Sequence, residues 1–362
     1  MNKIIKVLHT EWSDGWGGQE IRIIDEMIAI REQGIEVFLA CRDHGIIKHK
    51  ALENNIPVFT LPFRGNADLR TLFGLIRIIK NHSIDIVNTH SGKDTWVGGF
   101  AAKLSSVKFI RTRHLSNPIN PRRTNFINEL ADYIITTGES VRASMIDLNR
   151  IKPERIQSIP TGIDSKIFNP ILYDRADCRY RFNLMEDEIA IGIVAILRQF
   201  KRHDLFLEMA KSLVEKYPDK KLVFLIAGDG PRKDDILQLV KKQNLESKVR
   251  ILGHIDKVPD LLEALDIFVL CSDSKEGVPQ SLMQALLMNK NIVATDCGST
   301  KDLSNKDNFQ LIGAGNLYKL IEAVSFYLDG NNSNYDRSFI VSNFSKDVMT
   351  KKIVQLYSLI LK

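Results

Sequence analysis

Cysteine is scarce in this chain of 362 residues. The four present, Cys41, Cys178, Cys271 and Cys297, lie far apart, and none belongs to a CxxC pair. That spacing argues against a disulfide framework and against a thiolate metal site, and it fits reduced thiols in a cytosolic protein. No run approaches the roughly 20 apolar residues of a membrane-spanning helix, so membrane contact is expected to be peripheral at most. The opening segment MNKIIKVLHTEW has the pattern of an apolar strand, not of a secretory signal. A dense Arg/Lys tract with interleaved aromatics is missing, which disfavours nucleic-acid binding. The GxGxxG fingerprint is also missing, which disfavours an NAD-dependent dehydrogenase. Internal repeats and low-complexity segments are not seen.

What is present is ordinary for a soluble globular protein: 44% apolar and 26% charged residues. Fifty Lys and Arg against 44 Asp and Glu give a net charge of +6. This mild excess permits contact with an anionic surface or an acidic substrate without demanding it. The length suits two domains. Short β-branched runs at 4–9, 36–40, 58–61, 85–89, 108–112 and 133–136 alternate with amphipathic helical patterns such as 20–33. The pattern restarts at 190–197, 222–227, 249–252, 267–270, 292–295 and 309–312, with a helix over 205–216. Near-continuous apolar strands alternating with helices predict parallel sheets covered on both faces, and two such series predict two Rossmann-like domains. The polar stretch 165–188, with Pro170, marks the boundary. The expected division is an N-terminal domain over 1–168, a C-terminal domain over 169–344, and a final amphipathic helix over 345–362. Val348, Ile353, Leu356 and Ile360 are expected on one side of that helix. Within AGDGPRKDDIL (227–237), a strand ends, two glycines turn, and Pro231 is expected early in the next helix.

The segment DIFVLCSDSKEGVPQSLMQA (266–285) concentrates the chemistry. It reads as a buried strand, a polar loop carrying Glu276, and a helix starting near Pro279. Open α/β sheets place ligands where a strand ends and a helix begins. The free N–H groups and partial positive charge of a helix start suit a phosphate. Glu276 beside such a phosphate could accept from sugar hydroxyls. The pattern suggests a sugar nucleotide.

In order and spacing, AILRQFKRHD (195–204), AGDGP (227–231), LGHIDKVPDLLEALDIFVL (252–270), EGVPQSLMQA (276–285) and ATDCGS (294–299) resemble the donor-binding half of the family 4 glycosyltransferases. WGGQE (16–20), RTRH (111–114), ADYIITTGESVR (131–142) and IPTGIDSKIFNP (159–170) extend the resemblance to nearly the whole chain. It implies the α/β GT-B fold, two Rossmann-like domains whose parallel sheets face a central cleft, with the helix over 345–362 crossing back to the N-terminal domain. It also implies retaining transfer of a sugar from a nucleotide-diphosphate donor, with no metal ion and no cofactor beyond that co-substrate.

The resemblance gives residues their roles. Arg198 and Lys201 would neutralise the charge growing on the diphosphate leaving group, where two fixed cations stabilise the transition state more than the ground state. As bare residues, they could equally be a solvated basic helix start. Glu276 would hold hydroxyls of the donor sugar. Pro279 and the N–H groups of Gly277, Val278, Gln280, Ser281 and Leu282 would face the phosphates. Gln284 stands where the family usually carries a second glutamate, eight positions after the first, that accepts from the ribose hydroxyls. An amide keeps one acceptor and one donor end, so ribose binding can survive in altered form. Gly253, His254 and Val258 would lie near the nucleobase. Gly17 and Gly18, in the loop after the first strand, would lie against the donor's phosphate and sugar. His114 would sit near donor sugar and acceptor. His90, Arg111 and Arg113 are candidates for contact with the acceptor, although a solvated strand face remains an equal reading for the two arginines.

The expected enzyme is therefore a retaining, metal-independent glycosyltransferase acting in bacterial cell-surface polysaccharide or lipopolysaccharide synthesis. With no convincing nucleophile on the sugar's β-face, a front-side mechanism is favoured, in which the leaving phosphate oxygen deprotonates the acceptor hydroxyl. The partners would be a nucleotide sugar and a saccharide or lipid-linked acceptor, with no nucleic acid. The location would be cytoplasmic, at the inner face of the membrane if the basic cluster Pro121, Arg122, Arg123 and the segment 69–80, with Arg70, Arg77 and Lys80, meet anionic lipid. The alternatives are a nucleotide-sugar epimerase on the same fold, and a non-catalytic nucleotide-sugar-binding partner protein suggested by Gln284.

Overall fold

The computed structural model describes residues 3–114, 119, 126–274, 276–305 and 307–362. The cluster of Pro121, Arg122 and Arg123 lies outside them. The contacts divide the chain into two compact units, Met1–Gly162 with Lys346–Lys362, and Ile163–Ser345.

In the first unit, the strands are β1 (Lys6–Glu11), β2 (Glu36–Cys41), β3 (Val58–Thr60), β4 (Ile86–Thr89), β5 (Lys108–Arg113), β6 (Tyr133–Thr136) and β7 (Ile156–Ser158). They form one parallel sheet in the order 3-2-1-4-5-6-7. The second unit holds β8 (Ile189–Val194), β9 (Leu222–Ala227), β10 (Val249–Gly253), β11 (Ile267–Leu270), β12 (Asn291–Asp296) and β13 (Gln310–Gly313). These are also all parallel, in the order 10-9-8-11-12-13. The two Rossmann-like α/β halves expected from the sequence are both present. β7 was not anticipated, because its three residues, Ile-Gln-Ser, are too few and too polar to register as a strand.

Sequence composition accounts for these sheets directly. All six residues of β9, LVFLIA, are buried, and so are all four of β11, IFVL. A strand covered by helices on both faces has no solvent side, so its sequence does not alternate. Each unit builds its own pair of apolar layers, one on either side of its sheet. The final helix, Lys346–Ile360, belongs to the first unit, where it packs on the helix Gly18–Arg31. Its buried stripe is Met349, Ile353, Leu356 and Tyr357; Val348 and Ile360 are only partly covered, so the stripe is rotated from the one the sequence suggested.

One local expectation is corrected. Pro231 is not inside a helix: the helix runs Lys233–Lys242 with Arg232 as its cap. Gly228 and Gly230, at φ +142° and +156°, bring the turn's backbone close to Ala195 and Leu197. A Cβ on Gly228 would come within 1.9 Å of the Ala195 carbonyl oxygen, so only glycine fits there.

In both sheets the chain reverses its direction of strand addition once. The reversal falls between β1 and β4 in the first unit and between β8 and β11 in the second. The loops beyond the carboxyl ends of such strand pairs diverge and leave a crevice, which is where ligands bind in open α/β sheets.

Candidate functional site

In the second unit, the crevice between β8 and β11 gathers the residues singled out by the sequence. The loop after β8 carries Arg198 and Lys201, and the loop after β11 carries Glu276. A backbone hydrogen bond from the Asp273 N–H to the Phe200 carbonyl, 2.9 Å, ties the two loops together. Across it, the Lys201 ammonium donates to a Glu276 carboxylate oxygen. The Ser272 hydroxyl donates to the same oxygen at 2.5 Å. Glu276 is 7% exposed, so this carboxylate is held in place rather than waving in solvent. Lys201 has three N–H donors and spends one on Glu276, which leaves two for an anion. Arg198 caps the short turn Gln199–Lys201, and its side chain is exposed. Arg202 and His203 serve the scaffold. Arg202 pairs with Asp204 at 2.9 Å and Asp273 at 3.5 Å, and His203 is buried in the helix start.

Glycines outside the crevice set its shape. Gly298, in the ATDCGS segment, has φ +58°, and a Cβ there would lie 2.0 Å from the Glu276 carbonyl oxygen. The Ser299 N–H donates to the Gly277 carbonyl at 3.2 Å. Thus the loop after β12 is clamped onto the backbone that presents Glu276. AGDGP does the same for the other loop: the Leu197 N–H donates to the Asp229 carbonyl at 3.0 Å, and the Arg232 N–H returns to the Leu197 carbonyl at 3.1 Å.

The helix Gln280–Leu287 begins four residues after Glu276, with Pro279 at its cap. The first intrahelical bond runs from the Met283 N–H to the Pro279 carbonyl, so the N–H groups of Gln280, Ser281 and Leu282 are not used inside the helix. Val278 is 6% exposed and packs in the core, so it can reach a ligand only through its backbone. Gln284 is half-buried. Gly253 ends β10 with φ +71°, and its carbonyl accepts from the Gly228 N–H at 2.7 Å. His254 is exposed and lies 3.2 Å from the Asp256 carboxylate. Val258 opens the helix Val258–Ala264.

In the first unit, the crevice between β1 and β4 holds a buried polar cluster that sequence reading found only in part. His90 and His114 were named there, and His9 was not. The three imidazoles form a chain: His9 Nδ1 lies 2.9 Å from His90 Nε2, and His90 Nδ1 lies 3.0 Å from His114 Nε2. Burial drives all three toward the neutral form, His9 down to about 3 and the other two well below the usual range. Beside them, Glu11 accepts from the N–H groups of Trp12 (2.8 Å) and Ser13 (2.7 Å), the Gln19 amide (2.5 Å) and the Ser91 hydroxyl (2.6 Å). Burial, with the nearby Asp94 charge, pushes Glu11 up to about 8. Asp94 accepts from the Thr10 hydroxyl at 2.7 Å and the N–H groups of His90 and Ser91 at 2.9 and 2.8 Å. Burial raises it to about 6, against the lowering pull of Arg111.

Arg111 is 3% exposed and donates to the Thr89 carbonyl at 3.2 Å. The solvated-face reading of this arginine is therefore overturned: its guanidinium is buried close to Asp94 and Glu11. Arg113 is partly covered, and burial lowers it to about 10. Gly17 caps the helix Gly18–Arg31 in extended backbone, φ −161°, and its N–H donates to the Glu20 carboxylate at 2.9 Å. A Cβ there would meet nothing closer than Glu20 at 3.6 Å, so neither conformation nor packing explains a glycine at 17. Signals for the overlooked residues do exist. Ser91 and Asp94 have the S-x-x-D spacing of a capping box, and His9 and Glu11 break an apolar strand at its carboxyl end.

Among the described residues, no group of His, Cys, Asp and Glu has the arrangement of a metal site, and no helix is long and apolar enough to cross a membrane.

Comparison with known proteins gives the arrangement a family. The family described as "Glycosyltransferase Family 4" matches residues 16–166, and "Glycosyl transferases group 1" matches residues 188–329. The UDP-Gal:alpha-D-GlcNAc-diphosphoundecaprenol alpha-1,3-galactosyltransferase of Escherichia coli is 25% identical over 299 residues, 78% of this chain and 76% of that protein. A glycosyltransferase from Rickettsia africae superposes with a TM-score of 0.89 at 18% identity, covering 99% of both chains. Anabaena Alr3699/HepE in complex with UDP-glucose superposes with a TM-score of 0.83 at 18% identity, covering 98% of this chain and 99% of that one. The two Rossmann-like halves are those of the GT-B fold, each half matches its own glycosyltransferase model, and the chain belongs to the family 4, group 1 glycosyltransferases.

Proposed function

We propose that the protein transfers a sugar, with retention of anomeric configuration and without a metal ion, from a nucleoside-diphosphate donor to a hydroxyl of a saccharide or lipid-linked acceptor. The observation that carries this reading is the Lys201–Glu276 pair at the start of the helix Gln280–Leu287. A carboxylate for sugar hydroxyls, a lysine with further N–H donors, and the start of a helix fall on one short stretch of crevice. The carboxylate would orient the sugar. Lys201, Arg198 and the N–H groups would receive the negative charge that develops as the glycosidic bond breaks. Stabilisation of that kind acts where charge appears in the transition state, which is the task a divalent ion performs in other enzymes.

The first unit is the proposed acceptor side, as expected for residues 1–168, with the second unit holding the donor. The relatives' names support the substrate classes. The Escherichia coli relative is named for UDP-galactose and a diphosphoundecaprenol-linked acceptor, and the Anabaena structure contains UDP-glucose. A role in bacterial surface polysaccharide synthesis at the inner face of the membrane follows from that class. The helix Leu69–His82 supports membrane contact by exposing Phe73 beside Arg70, Arg77 and Lys80.

The test is donor turnover. Incubation with UDP-sugars and no acceptor should release UDP slowly, and Lys201→Ala should lower turnover by roughly a hundredfold or more with folding intact. Full activity in Lys201→Ala would remove the diphosphate role. Release of an inverted free sugar nucleotide would instead identify an epimerase.

A further inference from the structure

The three-histidine chain at the β1–β4 crevice has an end that settles its direction. A neutral imidazole carries one N–H and one lone pair, so each hydrogen bond in the chain needs a donor on one side only. Two arrangements satisfy both bonds. In one, all three rings are protonated on Nδ1: His9 donates to His90, His90 donates to His114, and His114 presents Nδ1–H. In the other, all three are protonated on Nε2: the direction reverses, His114 presents a bare Nδ1, and His9 carries its proton on Nε2. The arrangements exchange only if one proton enters at His114 Nδ1 as another leaves from His9 Nε2.

His9 Nε2 is sealed from solvent and has no hydrogen-bond partner among the described residues. A buried N–H without an acceptor is rarer and costlier than a buried lone pair without a donor. The sealed end therefore favours a lone pair on His9 Nε2. It also gives a proton no route out, so the two forms do not exchange through it.

We propose that His9 and His90 are positioning residues that lock His114 in the Nδ1–H tautomer, making it a hydrogen-bond donor and not a general base. His114 Nε2 is already engaged by His90, so Nδ1 is the ring atom through which it can serve a ligand. The charged groups around the chain suit a neutral state. Arg22 faces it from the helix Gly18–Arg31, and Arg111 and Arg113 face it from β5. Glu11 on β1 and Asp94 on the helix Gly92–Leu104 lie beside it. The three cations, together with burial, oppose any imidazolium. Resting on the glycosyl-transfer reading, the role assigned is donation to an oxygen of donor sugar or acceptor. Proton removal from the acceptor then falls to another group, as a front-side mechanism requires.

The test is a two-bond ¹H–¹⁵N correlation spectrum of the full chain labelled at histidine, free of ligand at neutral pH. The His114 signals are assigned by their loss in His114→Ala. The expected pattern is a proton on Nδ1 of His114; a proton on Nε2 overturns the proposal. His9→Leu removes the donor that starts the chain and should move His114 several-fold toward the Nε2–H form. His9→Asn places an amide N–H where Nδ1 stood and should restore the wild-type pattern. An unchanged His114 pattern in His9→Leu overturns the role of His9, and if that variant does not fold, the wild-type spectrum decides alone. UDP release from UDP-glucose is read in parallel, with about a tenfold loss expected for His9→Leu, the scale of one lost hydrogen bond, and recovery in His9→Asn. A wild-type protein that turns over no sugar nucleotide would remove the transferase reading, while the spectrum still decides the tautomer.

Discussion

Two glycines separate structure from function at the scale of single residues. Gly298 sits at φ +58° with the Glu276 carbonyl where its Cβ would be, so Gly298→Ala must displace the backbone that presents the carboxylate. A strained left-handed alanine costs about 1–3 kcal/mol before any clash is counted. The variant should melt several degrees lower and lose donor turnover together. Gly17 has no such constraint: its backbone is extended and a Cβ would have room. Gly17→Ala should leave the melting temperature unchanged within about 0.5 kcal/mol of stability, the range of an ordinary surface change. On the proposed donor role of this loop, it should still raise the KM for the sugar nucleotide, because a Cβ would intrude on a closely approaching ligand. Thermal melts and steady-state kinetics on the pair check both; a Gly17→Ala protein with wild-type KM would remove the loop from the site. Gln284 makes a third case. A glutamate there would accept more strongly from ribose hydroxyls, by about 1 kcal/mol on the difference between charged and neutral hydrogen bonds. Gln284→Glu should therefore lower KM about fivefold. The residues most legible in the sequence, Glu276 and Lys201, lie in exposed-looking polar loops at fixed spacing after apolar strands. His9, Glu11 and Asp94 were not read, because a polar residue inside an apolar strand or at a cap carries no chemistry until the fold shows what faces it.

At the scale of elements, the strands were legible because burial on both faces forces continuous apolar runs, and the observed ends differ from the expected ones by a few residues at most. β7 was missed for lack of such a run. What sequence could not convey was how loop ends are fastened. The end of β1 is tied to the starts of two helices through Glu11, which takes donors from Trp12, Ser13, Gln19 and Ser91. This fastening has a pH dependence whose sign follows from the direction of the shift. Glu11 is held up at about 8 in the fold against 4.5 when free, so the folded state binds its proton more tightly. The associated stability is fully present below about pH 4.5 and is lost as pH rises through about 8. Glu11→Gln has no such proton to lose. Melting temperatures measured from pH 5 to 8.5 should therefore fall more steeply in wild type than in the variant, and parallel curves would show that Glu11 is already ionised across the range.

At the scale of the molecule, the second unit is continuous in sequence and the first is not, because the last helix returns to it. The amphipathic pattern of that helix was visible in the sequence, but the helix it packs against was not. The helix Lys346–Ile360 buries Met349, Ile353, Leu356 and Tyr357 in the same apolar layer as Ile23, Met27 and Ile30. The Tyr357 hydroxyl also donates to Glu26 at 3.4 Å and accepts from the Asn88 amide at 3.3 Å, two residues before His90. Four buried side chains at about 1.5–3 kcal/mol each amount to roughly 6–12 kcal/mol, which is comparable to the whole stability of a domain. Ending the chain after Ser345 should therefore unfold the first unit. The second unit should survive, because neither of its apolar layers contains a residue from 346–362. Hydrogen exchange should show β1 to β7 unprotected and β8 to β13 still protected. UDP should continue to protect the second unit if the donor site is complete within it, since a ligand that binds only the folded form stabilises it by mass action. Protection of β1 and β4 in the shortened chain would mean that the first sheet holds without its returning helix, and would reduce Tyr357 from a structural tie to a surface contact.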